Sequence, residues 1–292
     1  MVDSIDTMDT VAAAGLSGSV HIIPLGHEID RAIAPFRDIR TDAVHLLTIV
    51  SRGRHDREMF ERQEEFTQRV EEELAKLQIP VDVWDVDLFN MHDVLKYVSG
   101  LITLERKRGR RVSVNASACG RLTSIGTAMA GMAHGAEVYY VEADGYSASE
   151  EEISEHGQSI CYGSATRVID PLRFELPREP APRLLADLAQ VARGWMGTED
   201  LAAFMKEHRV GVFRDDSSRN CSNQQIVTSL NKTMLDRLED PFEYITREQV
   251  GRQRRVALTR AGLNVACLSG YLPISGPVRS FGSPPSSNLG PR

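Results

Sequence analysis

The segment at residues 112–121, VSVNASACGR, constrains the fold of this chain more than any other. An apolar strand runs into a turn of small residues, and helix-forming sequence begins at Arg121. In an open parallel sheet, ligands bind just beyond the carboxyl ends of the strands. Asn115, Ser117 and Arg121 therefore place polar groups where a ligand would sit, beside a helix N-terminus that favours anions. The alternative is an ordinary strand-to-helix turn, because Asn and Ser also bond to their own backbone.

Strand-like and helical patterns alternate through the first half of the chain. The helical segments are amphipathic, as at residues 57–77, where Phe66 and Val70 recur at helical spacing among many charges. This alternation predicts an α/β domain with a Rossmann-like, doubly wound parallel sheet. The strand segments are 21–26, 43–50, 81–89, 111–117 and 137–141.

The end of the first strand adds Leu25, Gly26 and His27 to the same sheet edge. Gly26 allows a ligand to approach the backbone closely. The alternative is that His27 is solvated and that Glu28 only complements a helix dipole. No GxGxxG loop follows this strand, which argues against a dinucleotide-dependent dehydrogenase.

No GxSxG elbow, HExxH helix or Walker A loop is present, and the sequence predicts no metal site. Cys119 stands at a predicted helix N-terminus, where the pKa of a thiol falls, so it is a candidate nucleophile. We prefer the interpretation that Cys119 is a small residue filling the turn.

The second half of the chain changes to short helices, at 183–193, 198–208 and 222–239, followed by a basic hairpin at 244–259 and a helix at 260–268. This order predicts a winged helix-turn-helix. Amides and hydroxyls suit base edges, and arginines suit phosphates or the minor groove; the alternative is a solvated hairpin. The predicted DNA-binding residues are Asn223, Gln224, Gln225, Thr228, Asn231, Lys232, Arg247, Arg252, Arg254 and Arg255.

The formal net charge of −7 conceals an uneven distribution. Residues 181–270 carry a net charge of +2, and the rest of the chain carries −9. Local clustering matters more than the total, since charges are screened beyond about 10 Å. The C-terminal half is therefore compatible with DNA despite an acidic total.

We predict the following organisation from these patterns: a disordered N-terminus at 1–18, a ligand-sensing domain at 19–150, a final strand and linker at 151–182, the winged helix-turn-helix at 183–272, and a disordered tail at 273–292. The sequence shows no transmembrane segment and no signal peptide. Its four scattered cysteines are typical of a reducing compartment. We therefore expect a cytoplasmic protein that does not bind membranes.

The two halves together resemble the CRISPR-associated Rossmann fold (CARF) regulators fused to a winged helix, in particular the archaeal transcriptional regulators. The likeness lies in HIIPLGHEID at 21–30, in VSVNASACGR at 112–121 and, less specifically, in RRVALTRAG at 254–262. The family motif is a strand followed by Asn/Asp-x-Ser/Thr, glycines and a basic residue. Asn115, Ser117 and Arg121 fit that spacing.

The resemblance implies a homodimer whose two Rossmann-like domains share one ligand pocket on the dimer axis. It implies a cyclic oligoadenylate ligand, such as cyclic tetra-adenylate, no cofactor, and DNA as the partner of the winged helix. The family's Gly-Gly-Thr/Ser run is replaced here by Ala118-Cys119-Gly120, which narrows the expected pocket. The implied ligand-binding residues are Leu25, Gly26, His27, Asn115, Ala116, Ser117, Ala118, Cys119, Gly120 and Arg121.

Three functions follow from this resemblance. The first is a transcriptional regulator that alters DNA binding when its ligand binds, and which is not an enzyme. The second is a ring nuclease that cleaves its ligand slowly with Ser117 and Arg121. The third is a constitutive DNA-binding dimer with a vestigial pocket, which the Ala118-Cys119 departure favours.

Overall fold

The computed structural model describes residues 19–49, 57–163, 165–173, 175–213, 222–251 and 253–281. The prediction of disorder at 1–18, and the prediction that Arg252 contacts DNA, lie outside these residues. The chain forms two compact units. One contains the chain up to Phe174 and from Ile274 onward, and the other is Glu175–Pro273.

The first unit is a seven-stranded sheet flanked by helices. Its strand order is β12-β3-β2-β1-β4-β5-β8, and β1 to β5 run parallel. The order reverses between β1 and β4, as in a Rossmann-like sheet, which confirms the predicted fold. Its elements are β1 (Val20–Pro24), α1 (Asp30–Ile33), β2 (Ala43–Thr48), α2 (Arg57–Lys76), β3 (Val81–Asp85), α3 (Met91–Lys107), β4 (Val112–Asn115), α4 (Arg121–Ala133), β5 (Glu137–Val141), β6 (Gly145–Tyr146), α5 (Glu150–His156), β7 (Ser159–Ile160), β8 (Thr166–Val168) and β12 (Arg279–Phe281).

The central strands β1 and β4 are buried on both faces, as is usual for parallel strands that helices cover. All five residues of β1 and all four of β4 are buried. Helix α2 packs its apolar stripe against the sheet, so that Phe66, Val70 and Leu74 lie in the core with Leu46 of β2. The polar residue His21 is accommodated in β1 because its ring bonds to Ser19 and to the hydroxyl of Tyr139.

Two antiparallel strands close the edges of this sheet. β8 pairs with β5, and β12 pairs with β3. Residues 279–281 therefore correct the prediction of a disordered tail at 273–292. β12 satisfies the open edge of β3, and Arg279 forms ion pairs with Glu64 and Glu71 on α2. Composition rich in Ser, Pro and Gly does not reveal a three-residue strand whose stability comes from these distant partners.

The segment β6–α5–β7 is fixed to the start of α1 by two carboxylates. The Glu28 carboxylate accepts hydrogen bonds from the backbone N–H (3.1 Å) and the hydroxyl (2.9 Å) of Ser159. The Asp30 carboxylate accepts from the N–H of Cys161 at 2.8 Å and contacts Nδ1 of His156 at 3.1 Å. The residues 151–182 thus hold α5, β7 and β8, and these belong to the first unit.

The second unit is a winged helix domain. Its small sheet has the order β10-β11-β9, and its core joins Leu184, Leu230, Leu235 and Val256. The antiparallel hairpin β10–β11 forms the wing that the sequence predicts. The two-residue strand β9 was not predicted, because it is too short to show a pattern. The elements are α6 (Ala181–Gln190), β9 (Met196–Gly197), α7 (Thr198–Glu207), α8 (Asn223–Leu230), α9 (Asp236–Glu239), β10 (Ile245–Val250), β11 (Gln253–Leu258) and α10 (Arg260–Leu268).

The helix predicted at 222–239 contains a π-helical segment, Asn231–Leu235, between α8 and α9. We call residues 223–239 the recognition helix. Ser222 caps it by accepting from the N–H of Gln225, whose side chain accepts from the N–H of Ser222. None of the helices in the described part of the chain is long and apolar enough to cross a membrane.

Candidate ligand site and nucleic-acid interface

A cavity of ≈ 200 Å³ opens at the carboxyl ends of the parallel strands, where the strand order reverses. Loops that follow β1, β2, β3 and β4 all contribute to it, as a doubly wound sheet requires. Helix α2 and the segment between α5 and β7 close its sides. The lining residues are Gly26, His27, Glu28, Ile49, Met59, Gln63, Leu88, Phe89, Cys119, Gly120, Thr123 and Gln158.

Four of the predicted ligand residues line this cavity: Gly26, His27, Cys119 and Gly120. Gly26 approaches the β4 loop closely, and its N–H donates to the carbonyl of Ala118 at 2.8 Å. A Cβ atom at Gly26 would lie 3.4 Å from Cα of Cys119, so the two loops are in contact there. The cavity therefore forms where the predicted β1 and β4 loops meet.

The other predicted loop residues differ from the expectation. Leu25, Ala116 and Ala118 are buried, so the structure makes them part of the core beneath the cavity. Arg121 is exposed at the first turn of α4 and does not line the cavity.

Asn115 and Ser117, which the sequence predicts as ligand contacts, form hydrogen bonds within the protein that hold the loop. Both are buried. The Asn115 amide donates to the carbonyl of Arg31 at 3.0 Å, and its oxygen accepts from the N–H and the hydroxyl of Ser117 at 2.8 and 2.6 Å. Ser117 also accepts from the N–H of Val141 at 3.0 Å. These bonds occupy the polar groups that the sequence assigned to a ligand.

Sequence analysis missed the residues that other strands contribute to the cavity. Ile49 follows β2, Leu88 and Phe89 follow β3, and Gln158 comes from the segment before β7. The signal was available for the first three, because the carboxyl ends of all parallel strands share one edge. Gln158 could not be found in this way, because the bonds of Glu28 and Asp30 bring its segment to the cavity.

Burial controls the protonation of the cavity residues. It lowers the pKa of His27, with a further contribution from the Arg62 charge, so this imidazole is neutral near pH 7. It raises the pKa of Glu28, against the opposing effects of Ser159 and Arg31. It raises the pKa of Cys119 to about 12, aided by the Glu28 charge. Cys119 is therefore a thiol, and the small-filler interpretation is the one that its environment supports.

The cavity combines apolar groups, uncharged polar groups and one carboxyl group, that of Glu28. Phe89 is 61% exposed, and the ring of His27 stacks on Phe66 with centroids 4.9 Å apart. The Gln63 amide donates a hydrogen bond to the Leu25 carbonyl at 3.0 Å, and the Thr123 hydroxyl donates one to the Leu88 carbonyl at 2.7 Å. An uncharged heterocycle fits this lining, because it can stack on an aromatic face and bond to a neutral imidazole.

Helix α4 presents an apolar stripe beside this site. Leu122, Ile125 and Met129 recur at helical spacing and are 49%, 56% and 36% exposed. The opposite face of α4 packs on α3, where Gly126 lies against Met91 and Val94. Contiguous exposed apolar side chains of this kind mark interaction surfaces.

In the winged helix domain, the predicted contact residues of the recognition helix lie mostly on its surface. Gln224, Thr228 and Lys232 are exposed, and Asn231 is half-buried. Gln225 is exposed but also accepts the bond that caps the helix. The side chain of Asn223 lies outside the described part of the structure.

The wing arginines differ from one another. Arg247, on β10, forms ion pairs with Asp236 (2.9 Å) and Glu239 and contacts the Asn231 oxygen at 3.3 Å. Arg254 is exposed. Arg255 lies over the ring of Trp195, 4.2 Å from its centroid. Arg247, which the sequence predicts as a DNA contact, is thus paired with two carboxylates of the recognition helix.

Two family models match the chain. Residues 19–146 match the model described as HFX_2341_N-like, N-terminal, and residues 183–270 match the DUF6293 C-terminal winged helix domain. The second match confirms the winged helix that the sequence predicts. No curated protein matches the chain.

Three solved structures are similar at low levels. Protein VC1899 from Vibrio cholerae is 13% identical with a TM-score of 0.36, and the match covers 85% of this chain and 64% of that one. Can2 from Sulfobacillus thermosulfidooxidans, in complex with cyclic tetra-adenylate, is 9% identical with a TM-score of 0.35, covering 89% and 63%. Enterococcus italicus Csm6, bound to cyclic hexa-2'-fluoro-hexa-dAMP, is 13% identical with a TM-score of 0.36, covering 74% and 54%. The chain thus spans less than two thirds of the length of each.

Proposed function

Because the chain joins an N-terminal domain of the HFX_2341_N type to a DUF6293 winged helix domain, we propose that it is a DNA-binding regulator controlled by a nucleotide ligand. One observation carries the proposal: the cavity lies at the reversal point of a Rossmann-like sheet, in a chain that also has a winged helix. The winged helix binds DNA, and the ligand changes its affinity by favouring one arrangement of the dimer.

The proposed ligand is a cyclic oligoadenylate, with cyclic tetra-adenylate as the first candidate. The motif resemblance of residues 112–121 to CARF regulators supports this class. The chemistry of the cavity supports it too, since Phe89 can stack on an adenine and the neutral His27 can bond to its edge. Phosphates would lie at the N-terminus of α4, near Gly120 and Arg121.

We propose that two copies pair through the exposed stripe of α4, Leu122, Ile125 and Met129. The stripe begins one residue after Arg121, so a twofold axis along it brings two ligand loops together. A symmetric ring then meets the same groups from each subunit.

Replacing Ile125 with Asp is expected to weaken the dimer by about tenfold or more, because it places a charge in the apolar contact. Sedimentation equilibrium of the full chain measures the dissociation constant. Leu77→Asp is the matched control, since Leu77 is also exposed (41%) but lies at the end of α2. Equal dissociation constants for the two variants would remove α4 from the interface.

Cyclic tetra-adenylate is expected to raise the thermal midpoint of the protein, since a ligand at about 100 times its dissociation constant stabilises by about 2.7 kcal/mol. Phe89→Ala should reduce affinity by about tenfold without changing the fold, because Phe89 is exposed and offers a stacking face. Tyr146→Ala is the matched control, as Tyr146 is 73% exposed and lies outside the cavity. Cyclic hexa-adenylate and linear tetra-adenylate identify the ring size.

The outcome separates the three candidate functions. A midpoint shift without loss of the ring supports the regulator. Conversion of the ring to a linear product supports a ring nuclease, in which the buried Ser117 is a poor candidate for contact with the ligand. No shift with any ring would leave a constitutive DNA-binding dimer.

Arg254→Ala is expected to weaken binding to duplex DNA and to reduce the slope of log affinity against log salt by about 0.9, the contribution of one phosphate contact. Arg247→Ala should leave the slope unchanged and lower the thermal midpoint, because this arginine pairs with Asp236 and Glu239. Fluorescence anisotropy across a salt titration measures both. Arg69→Ala, on the exposed face of α2, is the control. A reduced slope for Arg247→Ala would contradict the structural assignment.

A further inference from the structure

We infer that the winged helix domain holds a second small-molecule site, for an amphipathic anion with a compact apolar body and one acidic group. The site is a cleft between the recognition helix and the wing. It is separate from the cavity in the Rossmann-like unit, and the inference stands whether or not a cyclic oligoadenylate binds there.

The cleft has a volume of ≈ 330 Å³, larger than that of the sheet cavity at ≈ 200 Å³. This volume is at the lower end of the range of about 300–1,000 Å³ that is typical of ligand pockets. Its floor is apolar and comes from three elements, with Leu201 on α7, Val227, Leu230 and Leu235 on the recognition helix, and Val256 on β11.

Polar and charged groups are confined to the rest of the lining: Thr198, Asn231, Arg247, Glu248, Gln249, Arg254 and Arg255. Three of these carry positive charge and one carries negative charge. Arg247 is paired with Asp236 and Glu239, whereas Arg254 is exposed and forms no ion pair with the described residues. An apolar floor with this unpaired cation at its rim is complementary to a ligand that has an apolar body and an anionic group.

Arg255 does not contribute its guanidinium to this rim. It stands between Arg254 and Val256 on β11, so its side chain lies on the opposite face of the hairpin, over Trp195 and 4.2 Å from the ring centroid.

DNA is a poor occupant of this cleft. Its phosphates would meet Arg254 at the rim, but nothing in a phosphate backbone fills an apolar floor. A ligand of one or two fused rings with an acidic group satisfies both parts. Such a ligand would contact Val227 on the recognition helix and Arg254 on the wing. The recognition helix and the wing are the two elements that we expect to bind DNA. By linkage, DNA and ligand would alter each other's affinity equally.

Anilinonaphthalene sulfonate is the probe that tests this site in the full chain, because it joins an apolar ring system to one anionic group. Phenylnaphthylamine, which has the same rings without the sulfonate, is the matched ligand. We expect saturable fluorescence enhancement by the sulfonate and a weaker affinity for the neutral analogue. Backbone amide shifts at Val227, Asn231 and Arg254 should locate the probe in the cleft.

Two variants of the protein decide between the site and non-specific adsorption. Arg254→Ala should lower the affinity for the sulfonate by about fivefold or more and leave the affinity for the neutral analogue unchanged, since a charge-assisted contact is lost. Val227→Phe should lower the affinity for both probes, because the larger side chain fills the apolar floor of the cleft. Arg260→Ala, exposed on α10, is the control. If Val227→Phe does not fold, the surface variant Arg254→Ala still decides.

Equal affinities for the two probes, or affinities unchanged by Arg254→Ala, would overturn the proposal. Addition of cyclic tetra-adenylate separates this inference from the proposed function, because that ligand should not displace the probe from the cleft. If cyclic tetra-adenylate displaces the probe, and the probe causes no amide shifts at Val227 or Asn231, then the probe binds in the sheet cavity. That result would refute the second site.

Discussion

Replacing Gly262 with alanine is expected to destabilise the winged helix domain by more than about 3 kcal/mol, at the upper end of the cost of overpacking. A Cβ atom at this position would lie 1.9 Å from the carbonyl oxygen of Tyr244. That oxygen cannot move away freely, because it accepts the N–H of Thr259 at 3.1 Å. The hydroxyl of Thr259 in turn accepts the N–H of Gly262 at 3.0 Å and caps α10.

Amide hydrogen exchange measures this loss within one domain. Protection should fall in the helices and strands described between residues 181 and 268, and it should stay unchanged in β1 and β4 of the Rossmann-like unit. DNA binding should fall in parallel. Ala261→Ser is the matched control, because Ala261 is exposed on the same helix turn. Wild-type protection in Gly262→Ala would mean that the Tyr244 carbonyl shifts at little cost.

Replacing Asn115 with alanine is expected to lower the free energy of unfolding by about 3 kcal/mol, from several buried groups that each cost about 1–3 kcal/mol when unpaired. The variant leaves the Arg31 carbonyl without its donor and the Ser117 N–H and hydroxyl without their acceptor. Since the β4 loop forms one wall of the cavity, ligand affinity should fall with stability.

Chemical denaturation and ligand titration of the same samples test this explanation. Cys119→Ala is the control, because it changes a cavity residue of the same loop and leaves the Asn115 bonds in place; its effect on stability should stay within about 1 kcal/mol. If Asn115→Ala keeps wild-type stability but loses ligand binding, then Asn115 contacts the ligand directly.

The sequence was sufficient to predict the alternating parallel sheet and the wing. The apolar residues of β1 and β4 indicate buried strands, and the alternation of polar and apolar residues in β10 and β11 indicates a hairpin. The same pattern could not show which polar groups of the β4 loop face inward. Asn115 and Arg121 both belong to the motif, yet Asn115 is buried and Arg121 is exposed. That difference depends on the Arg31 carbonyl, a partner 84 residues away in the chain.

Arg247 shows the same limit in the winged helix. The five arginines at 247–260 look like one basic cluster in the sequence, because the sequence does not show which acidic residues pair with each arginine. The fold brings Asp236 and Glu239 to Arg247 and leaves Arg254 on the surface. A charge run therefore predicts an interface but not the members that take part in it.

The edge strand β12 has a consequence for biosynthesis. The partner edge, β3, is complete when residue 85 has been made, but β12 becomes available only at residue 281. During that interval the nascent chain exposes an unpaired strand edge, the kind of surface that pairs with other chains. Glu64 and Glu71, which later hold Arg279, keep negative charge beside that edge while translation continues. Messages truncated after the wing would release a sheet that is one strand short and open to association.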